Sequence, residues 1–391
     1  MLNQIGSITG MNLRSLGSRL GLSAVIVVGI AGVVGVMIAL LAMSRGFEAT
    51  LKSTGQPNRA LVLRGGSNAE LNSGLDRASV DVIKETPGPR KSISGKPLAA
   101  AEMIVITEFA SKARGGSFNV TLRGVESESF EMRPEVTIIE GKMFEPGLQE
   151  VVVGRGALSS FEGVSIGSNL RFRGGDWKVV GVFASGDSHE SELWADLRTA
   201  QTAFNRQGAS SVLLAFEQPE QVAAFKEALK ADPRVNVDVQ TEAEYFNGQT
   251  EQFSRTIGVL ATVVAIIMGL GALFAAWNTM YAAVAARTRQ IATLRAIGFG
   301  GMPVAISVLL EAMALALLGG LLGAAIAWVL FNNFSVSTLG ANFTQVVFSF
   351  RVTGELVVKG LIIALIIGLT GGLFPAIRAA RLPVTTALRA A

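Results

Sequence analysis

The chain has 391 residues, of which half are apolar and only 16% are charged, and this balance argues against a purely soluble protein. Cysteine is absent, so disulfides, thiolate metal sites and cysteine nucleophiles are all excluded. The formal net charge is +4, yet Arg45 to Arg255 hold 24 Lys and Arg against 28 Asp and Glu. The positive excess therefore lies in the rest of the chain, where it indicates membrane orientation and attraction to lipid headgroups rather than nucleic-acid binding.

Basic residues without acidic neighbours mark three short segments. Because loops rich in Lys and Arg stay on the cytoplasmic side of a membrane, both termini are predicted to be cytoplasmic. The same pattern predicts four membrane crossings and one large domain outside. The segments are residues 1–19 with Arg14 and Arg19, residues 287–295 with Arg287, Arg289 and Arg295, and residues 378–391 with Arg378, Arg381 and Arg389.

The N-terminal residues 1–19 are predicted to form a cytoplasmic amphipathic helix, because apolar residues recur there every three or four positions. A disordered tail is the alternative. The first membrane helix is expected over residues 20–45. Its uncharged stretch Leu20–Ser44 would form about 37 Å of helix, enough to cross a bilayer. A cleaved signal peptide is disfavoured, since its apolar core has only about 7–15 residues.

Residues 46–254 are predicted to form an extracytoplasmic (periplasmic) α+β domain, long enough for a core of its own. Helices are expected behind Asp196, as an N-cap, and behind Pro219. Strand-like patterns occupy Ala60–Arg64, Ile104–Phe109, Phe118–Arg123, Leu170–Arg173, Trp177–Phe183 and Val212–Phe216.

Three more membrane helices are predicted after this domain, over residues 255–286, 303–331 and 355–377. A cytoplasmic segment, residues 287–302, and a short outer loop, residues 332–354, connect them, and residues 378–391 form a cytoplasmic tail. The predicted fold class is therefore a membrane protein with four transmembrane helices, one plus three, around an inserted α+β domain.

Small and polar residues stand out inside the predicted spans. Gly319 and Gly323, like Gly368 and Gly372, have the GxxxG spacing that lets helices approach closely, although ordinary glycine usage is the alternative. Glu311 would lie about 12 Å along its helix from Pro303, where a carboxylate must be protonated, paired or next to a cavity. A packing role, with bonds to Asn278 or to hydroxyl and backbone groups, is favoured over a substrate or proton role. Asn278 itself is expected to bridge helices.

Motifs for independent chemistry are weak. No Walker A motif occurs in the sequence, so ATP hydrolysis is expected to need another subunit. Gly163-Val-Ser165-Ile-Gly167 matches a nucleophile-elbow pattern, but a strand follows at once, so a turn is the better interpretation. His189, the only histidine, lies in an acidic stretch that is predicted to be a solvated loop rather than a metal site.

Three motifs in order carry a family resemblance. The first runs from Asn278 to Gly298 (NTMYAAVAARTRQIATLRAIG), the second joins Glu311 to Gly319-Gly-Leu-Leu-Gly323, and the third runs from Phe374 to Arg389 (FPAIRAARLPVTTALR). Together they resemble the FtsX/MacB/LolC-like permeases, the membrane subunits of type VII ABC transporters. Two carboxylates of the family pattern are missing, since Ala286 and Gln290 replace glutamates, and Ala292 replaces a glycine.

The resemblance implies that residues 287–302 form a coupling helix that docks on a separate ATPase. The implied coupling residues are Arg287, Arg289, Gln290, Leu294, Arg295 and Gly298. It further implies two ATPase subunits that bind ATP and Mg, a second copy of this permease, and no cofactor in this chain. The location implied is the bacterial inner (plasma) membrane.

The expected function is mechanotransmission, in which ATP hydrolysis moves the ectodomain. Export of a drug, peptide or similar envelope substrate, with a periplasmic adaptor and an outer-membrane duct, is favoured. A lipoprotein-extraction permease, a membrane-anchored receptor and an activator of a cell-wall hydrolase are the alternatives.

Overall fold

The structure is a computed structural model that describes residues 6, 8–11, 20–93, 95–112, 117–172, 175–339 and 345–383. It consists of two compact units. The helical unit comprises Met1–Arg45, Ser254–Phe334 and Phe350–Ala391, and the sheet unit comprises Gly46–Phe253 and Ser335–Ser349.

The elements in chain order are α1 (Leu20–Thr54), β1 (Arg59–Arg64), α2 (Arg77–Glu85), β2 (Ala99–Ala110), β3 (Ser117–Val125), α3 (Glu128–Met132), β4 (Thr137–Gly141), β5 (Glu150–Gly154), α4 (Arg155–Ser160), β6 (Asn169–Phe172), β7 (Gly175–Ala184), β8 (Leu193–Asp196), α5 (Leu197–Ala203), β9 (Ser211–Ala215), α6 (Glu220–Ala231), β10 (Val237–Thr241), α7 (Glu242–Ala286), α8 (Thr288–Ala296), α9 (Gly301–Phe331), β11 (Ser335–Leu339), β12 (Gln345–Ser349) and α10 (Gly354–Arg381). Single 3₁₀ turns form at Glu70–Asn72 and Ser188–Ser191.

Among the residues that the structure describes, four helices, α1, α7, α9 and α10, are long and apolar enough to cross a membrane. The predicted fold class, four such helices with an α+β domain between the first two, is confirmed. The helices extend beyond the predicted spans, most of all α7, which begins at Glu242 rather than at residue 255. Its 45 residues correspond to about 68 Å, more than twice the thickness of the hydrocarbon layer. Charges limit a membrane span, but they do not interrupt the hydrogen bonds of a helix.

Glycines bring the helices of the helical unit close together. A Cβ at Gly319 would lie 2.8 Å from the Val27 carbonyl oxygen of α1, and Gly323 abuts the Ala31 backbone in the same way. On α10, Gly372 lies against Ala312 of α9, and Gly368 lies against Ala316. Both glycine pairs therefore lie at helix–helix contacts, where any side chain would push the helices apart.

The sheet unit is built on one ten-stranded mixed sheet. The strand order is β10-β1-β9-β2-β3-β8-β5-β7-β4, with β6 paired to β7. The pairs β3/β8 and β5/β7 are parallel, and the remaining pairs are antiparallel. Every predicted strand overlaps an observed one, and Asp196 caps α5 by accepting the Thr199 N–H at 2.9 Å. Four further short strands, β4, β5, β8 and β10, were not predicted.

The connection between α9 and α10 contains a β-hairpin, where the sequence predicted a short outer loop. Strands β11 and β12 pair from Ser335↔Ser349 to Leu339↔Gln345. The hairpin belongs to the sheet unit, where the Val347 N–H donates to Ser191 Oγ at 2.8 Å. The turn, residues 340–344, lies outside the described residues.

Two predicted cytoplasmic elements lie mostly outside the described residues. In the segment 1–19, Gly6 and residues 8–11 are helical, and Ile8 is buried in the helical unit. Arg14, Arg19 and Arg389 are not described.

Candidate functional site: the α7–α8–α9 junction

The short helix α8 has defined ends. Arg287 precedes it with φ −106° and ψ 8°, which separates α8 from α7. At its other end, the Phe299 N–H donates to the Leu294 carbonyl and the Gly298 N–H donates to the Arg295 carbonyl. This is a Schellman cap, and Gly298 adopts φ +104°, a conformation that favours glycine. Gly298 therefore ends the helix.

Arg287 forms a bidentate ion pair with Glu311 of α9. Its Nη1 lies 2.8 Å from Glu311 Oε2 and its Nη2 lies 2.6 Å from Oε1. Both side chains are buried, with exposed fractions of 7% and 4%. The sequence analysis favoured bonds from Glu311 to Asn278 or to hydroxyl and backbone groups, and it did not predict this ion pair. A cation was available at the end of α7, and the sequence analysis had assigned it to the partner surface instead.

Arg295 also faces inward. Its guanidinium donates to the carbonyl oxygen of Leu382, just after α10. On α7, Trp277 Nε1 donates to the Thr370 carbonyl of α10 at 3.1 Å, and Tyr281 lies under the Arg378 guanidinium at 5.5 Å. The junction is thus tied to α9 through Arg287 and to the end of α10 through Arg295.

The outward face of α8 is formed by residues spaced three or four apart. Ile291 and Ala292 are buried, whereas Arg289, Gln290, Thr293 and Ile297 are exposed. Of the predicted coupling residues, Arg289, Gln290 and Gly298 are exposed, Leu294 and Arg295 are half-buried, and Arg287 is buried. The sequence analysis missed Thr293 and Ile297, although their helical spacing from Arg289 was a usable signal.

Asn278 and Glu311 were predicted together as polar groups inside the membrane, but the structure separates their roles. Asn278 is exposed on α7, and its side chain makes no hydrogen bond within the described part of the chain. The same helix exposes large apolar side chains at Val259, Ile266, Ile267 and Phe274.

The sheet unit contains a buried ionic cluster that the sequence did not predict. Arg123 bonds to Glu70, Glu102 and Glu192 at 2.8–3.1 Å, and all four side chains are buried or nearly so. Burial alone would raise the pKa of Glu102, but Arg133 and Arg123 outweigh it and lower that pKa to about 2. These residues are far apart in sequence, so no local pattern could have predicted the cluster.

The cluster continues to the first residue of α7. Glu242 Oε2 lies 2.6 Å from Arg59 Nε, and Glu242 Oε1 accepts from Arg133 at 3.3 Å. Arg133 also bonds to Glu102, which joins the two halves of the cluster. The start of α7 is therefore held to the sheet by buried ion pairs.

His189 does not lie in a solvated acidic loop. Its ring is fully buried, with Nδ1 3.1 Å from Asp187 Oδ2 and its edge against Trp194 and Phe246. Burial opposes protonation, but Asp187 outweighs it and raises the pKa of His189. Within the described residues, no group of three or more metal-ligating side chains occurs.

Ser165 of the G-x-S-x-G pattern is exposed in the turn between α4 and β6, as predicted.

Two family models match the chain. The MacB-like periplasmic core domain matches residues 23–232, and the FtsX-like permease C-terminal domain matches residues 262–384. This chain belongs to the FtsX/MacB-like family of type VII ABC transporter permeases. The second match contains α8, Arg287 and Glu311, so the junction is part of the family domain.

Relatives span the chain. The ABC transporter permease YvrN of Bacillus subtilis (strain 168) is 26% identical over 430 residues, covering 98% of this chain and 97% of that protein. The macrolide export ATP-binding/permease protein MacB of Bdellovibrio bacteriovorus is 24% identical over 409 residues, covering 95% of this chain and 59% of that protein. The extracellular domain of the transporter YknZ from Gram-positive bacteria aligns with 16% identity and a TM-score of 0.35, covering 47% of this chain and 100% of that domain.

Membership of this family makes the chain an ABC transporter permease and a multi-pass membrane protein. Permeases of this kind work with an ATPase that binds the nucleotide.

Proposed function

We propose that this permease couples ATP hydrolysis by a separate ATPase subunit to movement of its sheet unit, with residues 287–302 as the coupling segment. One observation carries the proposal. The inward side of helix α8 is bonded to the other helices through the Arg287–Glu311 pair and the Arg295–Leu382 contact. Its opposite side is exposed and consists of Arg289, Gln290, Thr293 and Ile297.

This arrangement suits a helix that receives force. Separating a buried ion pair leaves an uncompensated charge, which costs about 3–5 kcal/mol. A displacement of α8 by a docked subunit would therefore move α9 along with it more readily than it would break the pair. Arg289 adds a positive charge at the centre of the exposed face, so an acidic groove on the ATPase is the complementary surface.

Few polar side chains are available to line a channel, and this favours mechanotransmission over passage of substrate between the helices. Glu311 was one of two prominent polar candidates for such a lining, and Arg287 neutralises it. The other candidate, Asn278, is exposed on the outer side of α7. Work on a substrate outside the bilayer agrees better with these helices than a polar path through them.

Orientation and assembly are parts of the same proposal. The basic segments support a topology in which both termini lie in the cytoplasm of a bacterial cell and the sheet unit lies on the outer side of the inner (plasma) membrane. A second copy of the permease and two ATPase subunits would complete the complex. The exposed face of α7 with Asn278, next to an open groove lined by Gly29 of α1 and Gly271 of α7, is the contact proposed for the second copy.

For the substrate, we propose export of a drug, peptide or similar envelope compound with a periplasmic adaptor and an outer-membrane duct. The relative in Bdellovibrio bacteriovorus is named for macrolide export, which favours this assignment.

The proposal is tested by purifying the full chain from its native membrane in mild detergent and quantifying the co-purified ATPase by mass spectrometry. The double variant Arg289→Glu/Ile297→Glu reverses charge and polarity on the exposed face of α8. We expect at least tenfold less ATPase with this variant, since a reversed interface charge costs more than about 1.4 kcal/mol.

The matched control is Arg171→Glu/Ile139→Glu, which makes the same two changes at exposed positions of the sheet unit. It should leave ATPase recovery unchanged. Equal recovery with both double variants, or no ATPase with the unmodified chain even after crosslinking, would refute the proposed coupling.

A further inference from the structure

The loop between β7 and β8, residues 185–192, is unusual because half of its residues are buried. Loops ordinarily run over the surface of a protein. Here Asp187, Ser188, His189 and Ser191 are exposed by 8% or less. The loop connects directly to β8, which lies between β3 and β5 in the middle of the sheet. A displacement of this loop would therefore reach the centre of the sheet.

The end of α1 is bonded to the loop. Thr54, the last residue of α1, is fully buried, and its Oγ1 accepts the Ser188 N–H at 3.0 Å. The same oxygen lies 2.9 Å from Ser188 Oγ. Ser53 adds a weaker bond to the Gly186 carbonyl at 3.4 Å. The first helix of the chain thus ends directly against Ser188.

The start of α7 packs on the same loop. Phe246, in the second turn of α7, lies against the His189 ring, with the ring centroids 6.2 Å apart and the planes nearly perpendicular. On its other side, His189 contacts Trp194 of β8 in the same geometry at 5.5 Å. The bond to Asp187 holds the imidazole in place between the two rings.

The hairpin between α9 and α10 makes the third contact. The Val347 N–H of β12 donates to Ser191 Oγ at 2.8 Å. Toward the sheet, the loop is bonded to β5, because the Gly154 N–H donates to the Glu192 carbonyl at 2.9 Å. The Arg155 guanidinium, next in the chain, pairs with Glu190 at 3.0 Å.

The end of α1, the start of α7 and the hairpin that joins α9 to α10 therefore all contact the same eight-residue loop. We propose that the β7–β8 loop passes displacement of these helices to the sheet, with Thr54, Phe246 and Ser191 as its positioning residues. This inference rests on the proposed function and names the place where motion enters the ectodomain.

The test is hydrogen exchange with mass spectrometry on the full permease–ATPase complex in lipid nanodiscs, comparing ATP with vanadate against ADP. Amide exchange should change with nucleotide in residues 288–296 and in residues 185–196 of the unmodified chain. Thr54→Val removes both bonds to Ser188, and Ser191→Ala removes the bond to Val347. In each variant, the change in residues 185–196 should be lost or reduced severalfold, while residues 288–296 keep theirs.

The matched control is Thr107→Val, because Thr107 is also a buried threonine of the sheet unit whose hydroxyl donates a single bond, to the Val120 carbonyl at 3.1 Å. It should keep both responses, and thermal melts should show all three variants folded. A nucleotide response in residues 288–296 but not in residues 185–196 of the unmodified chain would overturn the inference alone. Retention of the loop response in both test variants would do the same, whereas no response in either region would remove the proposed function with it.

Discussion

Both units of this permease have an apolar core, but they differ in how many charged side chains they bury. In the helical unit, glycine and alanine allow close contacts between helices, and the part of it that the structure describes holds one buried ion pair, Arg287–Glu311. In the sheet unit, three arginines and four glutamates form a connected buried cluster. Each charged side chain there has two or more partners when hydrogen bonds are counted, such as Ser211 on Glu70 and Trp194 on Glu192, and these bonds offset the cost of removing the charge from water.

The difference suggests how each unit can move. Contacts between small residues are non-directional, so helices can shift along one another at small cost. A cluster of bidentate ion pairs is directional, and it holds the first residue of α7 in one geometry against the sheet. We therefore expect larger adjustments within the helical unit than at the buried ionic cluster of the sheet unit.

The largest effect is expected from Arg123→Met, which leaves Glu70, Glu102 and Glu192 without their common partner. Loss of one member of a buried ion cluster should lower the free energy of unfolding by about 3–5 kcal/mol or more. Thermal unfolding of the full chain in detergent, with limited proteolysis of the sheet unit, measures this. Arg171→Met, at an exposed position, is the control and should stay within about 0.5 kcal/mol. Similar melting of the two variants would show that the cluster is not structural.

The single ion pair of the helical unit should have a comparable but smaller effect. Arg287→Met leaves Glu311 buried without a cation, and a loss of about 3 kcal/mol is expected. The double variant Arg287→Met/Glu311→Leu removes both charges and should recover most of that loss. Thermal unfolding compares the three chains, and a double variant as unstable as the single one would contradict the assigned pairing.

Glycine contacts should be the next most sensitive. Gly372→Leu places a side chain where a Cβ alone would lie 2.6 Å from Ala312 Cβ, and overpacking of this kind costs about 1–3 kcal/mol. Gly258→Leu on α7 is the control, because no atom lies within 4 Å of its Cβ position. A difference in melting between these two variants measures the contact between α9 and α10, and equal melting would argue against it.

The smallest effect concerns pH. The pKa of His189 is raised and that of Asp187 is lowered to about 2, so their bond stabilises the sheet unit most when both are charged. Its contribution should be present below about pH 6.5 and be lost as pH rises through the raised pKa of His189. At the acid end it should be lost as pH falls from about 4 toward 2. Unfolding of the unmodified chain and His189→Gln across this range should differ by about 1 kcal/mol near pH 5–6, and by less at pH 8 and above. A difference independent of pH would contradict the charge on His189.

Local sequence patterns predicted much of the fold, since membrane helices and amphipathic strands depend on periodicity and charge over short windows. The hairpin β11–β12 was missed because two five-residue strands leave a weak pattern. The burial of His189 was also missed, because its acidic neighbours resemble a solvated loop until Trp194 and Phe246 pack on the ring.

By itself, the sequence determined the number of membrane helices, the inserted α+β domain and the family, because apolar length, charge asymmetry and motif order are properties of contiguous residues. Only the tertiary structure decided that Arg287 faces Glu311 rather than a partner, and that Arg289 and Ile297 remain on the exposed face of α8. It also decided that Thr54, Phe246 and Val347 meet on one loop. Such pairings depend on side-chain direction and on segments brought together across nearly 300 residues, which no local pattern in a sequence encodes.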